Sequence, residues 1–411
     1  MVPVEVSVPV AAYASAPRSV AQALERPGGS TRDNRGAAAV RDFRVAAGVS
    51  GKVPGKLFET LQPRARIPVG LGAPVPVGSN QDWIVPAKRS EGNPYMTGSR
   101  VVALGHYQPA KVLTNHDLAA MVDTSDEWIT SRVGIRTRHV GGPGEPVDEL
   151  AAHAAAKALA SAGLQAEDID MVLVATSTAI DRSPSMSARV AARLGMGSPA
   201  VMDINVVCSG FTHALATADH AIRAGAATRA LVIGADKMGD IVDWTDRSTC
   251  VLMGDGAGAA VVTADPDGGD RPGIGPVLWG SVPEMGNAVR IEGTPPLFAQ
   301  EGQSVYRWAT TKLPPIAREV CARAGVTPED LAAVVLHQAN LRIIEPVARK
   351  IGAVNAVIAR DVVDSGNTSA ASIPMALSKL VERGEVESGA PALLFGFGGN
   401  LSYAGQVIRC P

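Results

Sequence analysis

Residues 202–218, MDINVVCSGFTHALATA, and residues 362–380, VVDSGNTSAASIPMALSKL, decide how this chain folds, because they are two versions of one piece of architecture. In each, a short loop leads into a cluster of Ser, Gly and Ala, and apolar side chains then recur at helical spacing. What flanks the two segments is also shared. The apolar run 168–178 (DIDMVLVATST) precedes the first and 229–238 (RALVIGADKM) follows it, while 331–340 (LAAVVLHQAN) and 391–400 (PALLFGFGGN) flank the second. With 99–107 (SRVVALGHY) and 257–264 (AGAAVVTA), these short runs bounded by turn residues read as buried strands. Strands alternating with helix-period segments specify an α/β fold, and the repeat specifies two related α/β units. Packed together, two such units bring the starts of their two helices close to each other.

The amino-terminal quarter reads differently. Residues 1–95 hold 11 of the 29 prolines and show no sustained apolar period of 3.6 or 2. They carry 12 Lys and Arg against 7 Asp and Glu, whereas the whole chain has 38 against 40 and a net charge of -2. Glu5, Glu25, Asp33, Asp42 and Glu59 argue against an acid-poor transit peptide, and no positively charged start precedes an apolar core. The expected organisation is an extension outside the fold over 1–95, a first half over 96–265 and a second over 266–411, with Met96 standing just ahead of the first strand.

Composition excludes several classes. A content of 46% hydrophobic residues in 411 can bury one large core or two smaller ones. The balanced charge offers no footprint for nucleic acid, which needs clustered Lys and Arg. Cys208, Cys250, Cys321 and Cys410 are too dispersed for a disulfide framework and have no zinc-ligand spacing, so a reducing cytoplasm is expected and no metal. The charge-free stretch 389–408 is long enough to span a bilayer, but five glycines with Ser, Asn and Gln interrupt it. It reads as two buried strands and a turn, with no membrane partner.

Three residues carry reactive chemistry in these positions. Cys208 opens SGFTHALATADHAIRAG, and at a helix start the unpaired N–H groups and macrodipole favour a nucleophilic thiolate. His337 ends the strand AVVLHQAN, and Asn367 opens the second helix in DSGNTSAASIP. Each has an ordinary structural use, Asn367 as a helix cap for instance. The duplicated topology brings all three to one level of the sheets, and that convergence favours catalysis. GFGGN at 396–400 lets backbone approach a ligand closely, so its N–H groups, Gly399 among them, suit an oxyanion hole. DGAGAA at 255–260 lacks a following helix and partner acid, and is assigned to packing.

Seven strings occur in order: TSDEWITSRVGIRTRHV, DINVVCSGF, DRSTCVLMGDGAGAAVV, EGQSVYRWA, HQANLRIIEPVARKIG, GNTSAASIPMAL and GFGG. They resemble the β-ketoacyl-(acyl-carrier-protein) synthase III family over about residues 98–411. The resemblance implies a thiolase-like α/β fold of five layers, αβαβα, in two related halves, a homodimer, and no organic cofactor. It implies an enzyme that moves an acyl group from acyl-CoA to Cys208 and condenses it with malonyl carrier protein, with loss of carbon dioxide. By the same resemblance His337 and Asn367 hold the malonyl thioester oxygen, and the N–H groups of Cys208 and Gly399 form the oxyanion hole. Trp128 and Arg132 match an adenine-stacking pair, Arg247 a further CoA contact, and Arg342 a basic residue that docks the acidic carrier protein. The chain departs from the family pattern at Asn400, where a third Gly is usual, and at Ser183, where an aromatic often walls the partner subunit's acyl pocket. Two other readings compete: an acyltransferase of the same fold that acts on a hydroxyl or amine, and a catalytically silent partner subunit.

Overall fold

The computed structural model describes residues 98–411 except 182 and 266–272, so the expectation for residues 1–95 lies outside the described residues. Over 98–265 the chain forms β1 (Gly98–Tyr107), β2 (Val112–Thr114), β3 (Thr137–His139), β4 (Met171–Ala175), β5 (Ala200–Ile204), β6 (Arg229–Lys237) and β7 (Asp255–Asp265). Its helices are α1 (Asn115–Ala119), α2 (Asp126–Val133), α3 (Val147–Ala162), α4 (Met186–Arg193) and α5 (Gly210–Arg223). Further on come β8 (Leu278–Gly280), β9 (Val289–Glu292), β10 (Leu297–Gln300), β11 (Ala333–Leu336), β12 (Val357–Ile358), β13 (Pro391–Phe397) and β14 (Tyr403–Arg409). With them run α6 (Gly302–Arg323), α7 (Leu341–Ile351), α8 (Val362–Ser365) and α9 (Ser372–Glu382).

Two five-stranded sheets, ordered β1-β7-β6-β4-β5 and β12-β11-β13-β14-β8, carry the duplication. Read from β8, the second sheet repeats the pairing of the first: two antiparallel contacts, then two parallel ones. Thus β4 corresponds to β11, β6 to β13, and α5 to α9. Side chains on successive strand residues point to opposite faces, and both faces here are apolar. Val172 and Val174 of β4 face α3 and α4, whereas Leu173 and Ala175 face α5. In β11, Val334 and Leu336 face α6 and α7, and Ala333 and Val335 face α9. The layers are therefore α3/α4, first sheet, α5/α9, second sheet, α6/α7. That is the five-layered thiolase-like fold with related halves.

The central layer is built to a tight tolerance. A Cβ on Gly234 of β6 would lie 2.2 Å from the Ala370 carbonyl oxygen, and one on Gly258 of β7 would lie 2.6 Å from the Met375 nitrogen. The glycines of 255–260 therefore serve packing, as expected. Among the described residues no helix is long and apolar enough to cross a membrane. Because backbone is what a methyl at residue 234 would strike, Gly234→Ala should cost about 1–3 kcal/mol and displace the turn that holds residues 369–371. Thermal unfolding monitored by circular dichroism checks this, and an unchanged melting temperature would refute it.

Candidate active site

Cys208 sits in a single 3-10 turn, Val207–Ser209, with α5 starting at Gly210. It therefore precedes the helix rather than opening it. Val207 has φ +49°, and Ser209 pins the turn by donating to the Val206 carbonyl at 3.0 Å and bonding Ser402 Oγ at 2.9 Å. The turn after β13 lies directly against the sulfur. A Cβ on Gly398, whose φ is +151°, would come 2.7 Å from Cys208 Cβ and 2.9 Å from Sγ, so only glycine fits. The next residue, Gly399, packs as closely on the same turn, where a Cβ would come 2.6 Å from the Val207 Cβ. Asn400 adopts φ 59° and ψ 11°, a left-handed conformation that Asn tolerates well, so the loop keeps its course without a third glycine.

His337 follows β11 directly and is buried. Its Nδ1 lies 2.8 Å from Ser372 Oγ, which also accepts the Gln338 N–H at 3.3 Å. That leaves Nδ1 to accept the Ser372 proton, and the ring hydrogen falls on Nε2. Phe397 stands edge-on to the ring at 5.5 Å. Asn367 does not open α9, which begins at Ser372. It lies in the preceding loop, where its N–H donates to the Leu252 carbonyl at 2.8 Å and its carbonyl accepts the Gly254 N–H at 3.1 Å. Pairing to this segment replaces the helix cap that the Asn-Thr-Ser string suggested. The Asn367 Oδ1 accepts the Ser369 N–H at 2.9 Å, which leaves the Nδ2 hydrogens for the cleft.

Burial sets the charge state of the site. Desolvation pushes the Cys208 thiol up to about 11, although hydrogen bonds from Ser369 and the Gly399 N–H oppose the shift. Burial therefore works against the thiolate that a helix end favours. Desolvation likewise lowers His337 to about 3, so its imidazole is neutral. The same environment keeps both partners uncharged.

Cys208, His337, Asn367, Phe397, Arg132 and Arg342 line one cleft of about 180 Å³. The structure thereby brings the three expected reactive residues together and puts two of the expected basic residues at the same opening. Trp128, half-buried on α2, packs against two arginines, with the Arg247 guanidinium 5.1 Å and the Arg132 guanidinium 5.9 Å from the ring centroid. Arg247 also donates to the Asp123 carbonyl at 2.6 Å. Ser183 is exposed ahead of α4 and is not in this cleft. No group of His, Cys, Asp or Glu among the described residues could hold a metal ion.

Sequence reasoning missed Ser372, Ser369 and Asp236. Asp236, fully buried at the end of β6, accepts from Thr176, Ser177 and Thr178 through Oδ1 and from the Ala370 N–H through Oδ2. It ties the loop after β4 to the turn beside Cys208. Only an acidic residue ending an apolar strand hinted at it.

Comparison with known proteins agrees with this geometry. The model for the 3-oxoacyl-(acyl-carrier-protein) synthase III family matches residues 202–281, and the one for its C-terminal part matches 321–410. A β-ketoacyl-(acyl-carrier-protein) synthase III of Streptomyces avermitilis is 82% identical over 316 residues, which cover 77% of this chain and 100% of the relative. The chain belongs to the β-ketoacyl-(acyl-carrier-protein) synthase III family. The Rhodospirillum centenum synthase III is 43% identical, over 76% of this chain and 98% of that one. Among solved structures, a priming β-ketosynthase of a polyketide pathway is 38% identical with a TM-score of 0.75, covering 78% of this chain and 98% of that one. The Aquifex aeolicus 3-oxoacyl-(acyl-carrier-protein) synthase III is also 38% identical, with a TM-score of 0.72, over 76% and 100%. As a synthase III, the chain is an acyl-transferring condensing enzyme, which makes a carbon–carbon bond by Claisen condensation at the start of fatty acid or polyketide synthesis.

Proposed function

We propose that the primer enters as acyl-CoA, is carried on Cys208, and condenses with malonyl carrier protein held by His337 and Asn367. The observation that carries this reading is the convergence of the three side chains on one cleft. In each step negative charge develops on a thioester oxygen. When the malonyl unit loses carbon dioxide, the enolate oxygen meets two neutral donors, the His337 Nε2–H and the Asn367 Nδ2–H. The enolate carbon then attacks the acyl-Cys208 carbonyl, whose oxygen is held by the N–H groups of Cys208 and Gly399. Neutral, fixed donors in a desolvated cleft need no reorganisation as charge appears. Cys208 leaves as a thiolate that takes up one proton from solvent to restore the thiol, and the product is a 3-oxoacyl carrier protein. The Trp128 cluster with Arg132 and Arg247 supports CoA binding by stacking and charge, and Arg342 at the opening supports docking of an acidic carrier protein.

Two copies of the chain are proposed to pair along β5. That strand is the free edge of the first sheet, and it exposes Val201 and Met202, 36% and 42% accessible. Ile180 beside it is 67% accessible. A free edge with exposed apolar side chains is normally covered, because it offers unpaired N–H and C=O groups to another strand. Light scattering should give twice the 42.3 kDa chain mass, and Met202→Lys should shift it toward one chain. A monomeric parent protein would end this part of the reading.

Asn367→Ala separates the two half-reactions. Acylation of Cys208 should proceed as in the parent, whereas condensation should fall by about 10²-fold or more, the effect of losing one fixed donor. Equal loss in both steps, measured by rapid quench and mass spectrometry, would count against the assigned roles.

A further inference from the structure

Asn367 lies two residues beyond the end of α8, a helix only four residues long. A single helical turn is marginal by itself, because it fixes several backbone angles for little hydrogen bonding in return. Contacts from outside must therefore hold α8 in place. Lys379, on the central helix α9, grips it at both ends. Its Nζ donates to Asp361 Oδ1 at 2.7 Å, just ahead of the turn, and to Ser365 Oγ at 2.9 Å, in the last residue. It also donates to Gln108 Oε1 at 2.7 Å, just after β1. An ammonium group has three donors, and here each has its own acceptor.

The Lys379 and Asp361 side chains are 15% and 8% accessible, so solvent screens this ion pair less than it would a surface one. Ser365 passes the hold on to Asn367. The Ser365 carbonyl oxygen sits 2.2 Å from where a Cβ on Gly254 would be, and the Gly254 N–H donates to the Asn367 carbonyl at 3.1 Å. Only Gly366 separates Ser365 from Asn367. It has φ +70°, and a Cβ there would lie 3.0 Å from the Arg138 Cβ and 3.1 Å from the Leu252 carbonyl oxygen, so the link is packed on both sides. A shift of Ser365 therefore moves Asn367.

We propose that Lys379 is a positioning residue for the condensing step: it fixes α8 against α9 and the end of β1, and through Ser365 it sets where the Asn367 amide stands in the cleft. Lys379 does not line that cleft, so it acts on the reaction through Asn367. An amide displaced by about 1 Å no longer meets the enolate oxygen well, and misplacement on that scale can cost up to about 10²-fold in rate.

The positioning role rests on Asn367 serving condensation, and a double-mutant cycle separates the two claims. Acylation by acyl-CoA, and condensation of the acylated enzyme with malonyl carrier protein, are followed by rapid quench and mass spectrometry for the parent, Lys379→Met, Asn367→Ala and the double variant. Lys379→Met should slow condensation by about tenfold, and by more than it slows acylation. In the Asn367→Ala background the same change should slow condensation by less than about twofold, because the group that Lys379 positions is already gone. Ser365→Ala keeps the ion pair and cuts its link to the support of Asn367, so it should slow condensation by about threefold or more. If Lys379→Met does not fold, the cycle of Ser365→Ala with Asn367→Ala decides. Condensation within about twofold of the parent in the folded variants, an equal loss with and without the Asn367 amide, or equal slowing of both half-reactions overturns the positioning role. An Asn367→Ala enzyme that condenses at the parent rate overturns the role of Asn367 itself, and the positioning role with it.

Discussion

Close approach of backbone between the first sheet, the two central helices and the last hairpin is the constraint on which the rest depends. Gly210 lets α5 start against Ala175, where a Cβ would come within 2.9 Å of the Ala175 Cβ, and Gly234 admits the Ala370 carbonyl. Gly396 on β13 lies against the turn of Cys208, with a Cβ position 2.9 Å from the Ser209 Cα. These contacts are too short for any side chain. They lock the start of α5, the turn before α9 and the end of β13 into one unit, and Cys208, Asn367 and Gly399 each belong to one of those three segments. His337 joins them because β11 is the neighbour of β13. Precision of this kind comes from paired backbone and packed rotamers, so the donors stand in place before substrate arrives.

The same packing keeps the cysteine and the histidine uncharged. Desolvation holds the thiol protonated and the imidazole neutral, a combination unlike the ion pair used by many cysteine nucleophiles. A neutral imidazole suits the condensing step, where it donates to an enolate oxygen, but it leaves the nucleophile without an ionised partner. A charged histidine would bind the enolate more strongly, yet it would cost far more to bury. Asp236, fully buried on β6, is held by hydroxyl and N–H donors of residues 176–178 and by the Ala370 N–H.

Much of the architecture was legible in the sequence, for physical reasons that also mark the limit. The strand runs at 171–175, 333–336 and 391–397 are apolar on both faces, which is how strands inside a layered α/β fold read, and their repetition exposed the duplication. Cys208 and His337 stood out because reactive residues follow apolar strands there. The start of α9 was placed too early, since Asn-Thr-Ser is good capping chemistry and the competing partner, Met253 with its neighbours, is more than a hundred residues away. Asp236 and Ser369 stayed hidden for the same reason: their side-chain hydrogen bonds join residues 58 to 161 apart. Asn400 in place of the usual glycine takes a left-handed backbone that keeps the course of the oxyanion turn. Ser183 is a different case, because the role its position suggested involves a second subunit.

The central claim is that one buried cysteine carries the growing carbon chain between two substrates. Peptide mapping by mass spectrometry after brief exposure to acyl-CoA tests it most directly, since the chain has four cysteines, all of them buried. The acyl mass should appear on the peptide containing Cys208 and should disappear on addition of malonyl carrier protein. An acyl mass on Cys250, Cys321 or Cys410, or on no cysteine while product still forms, would contradict the account.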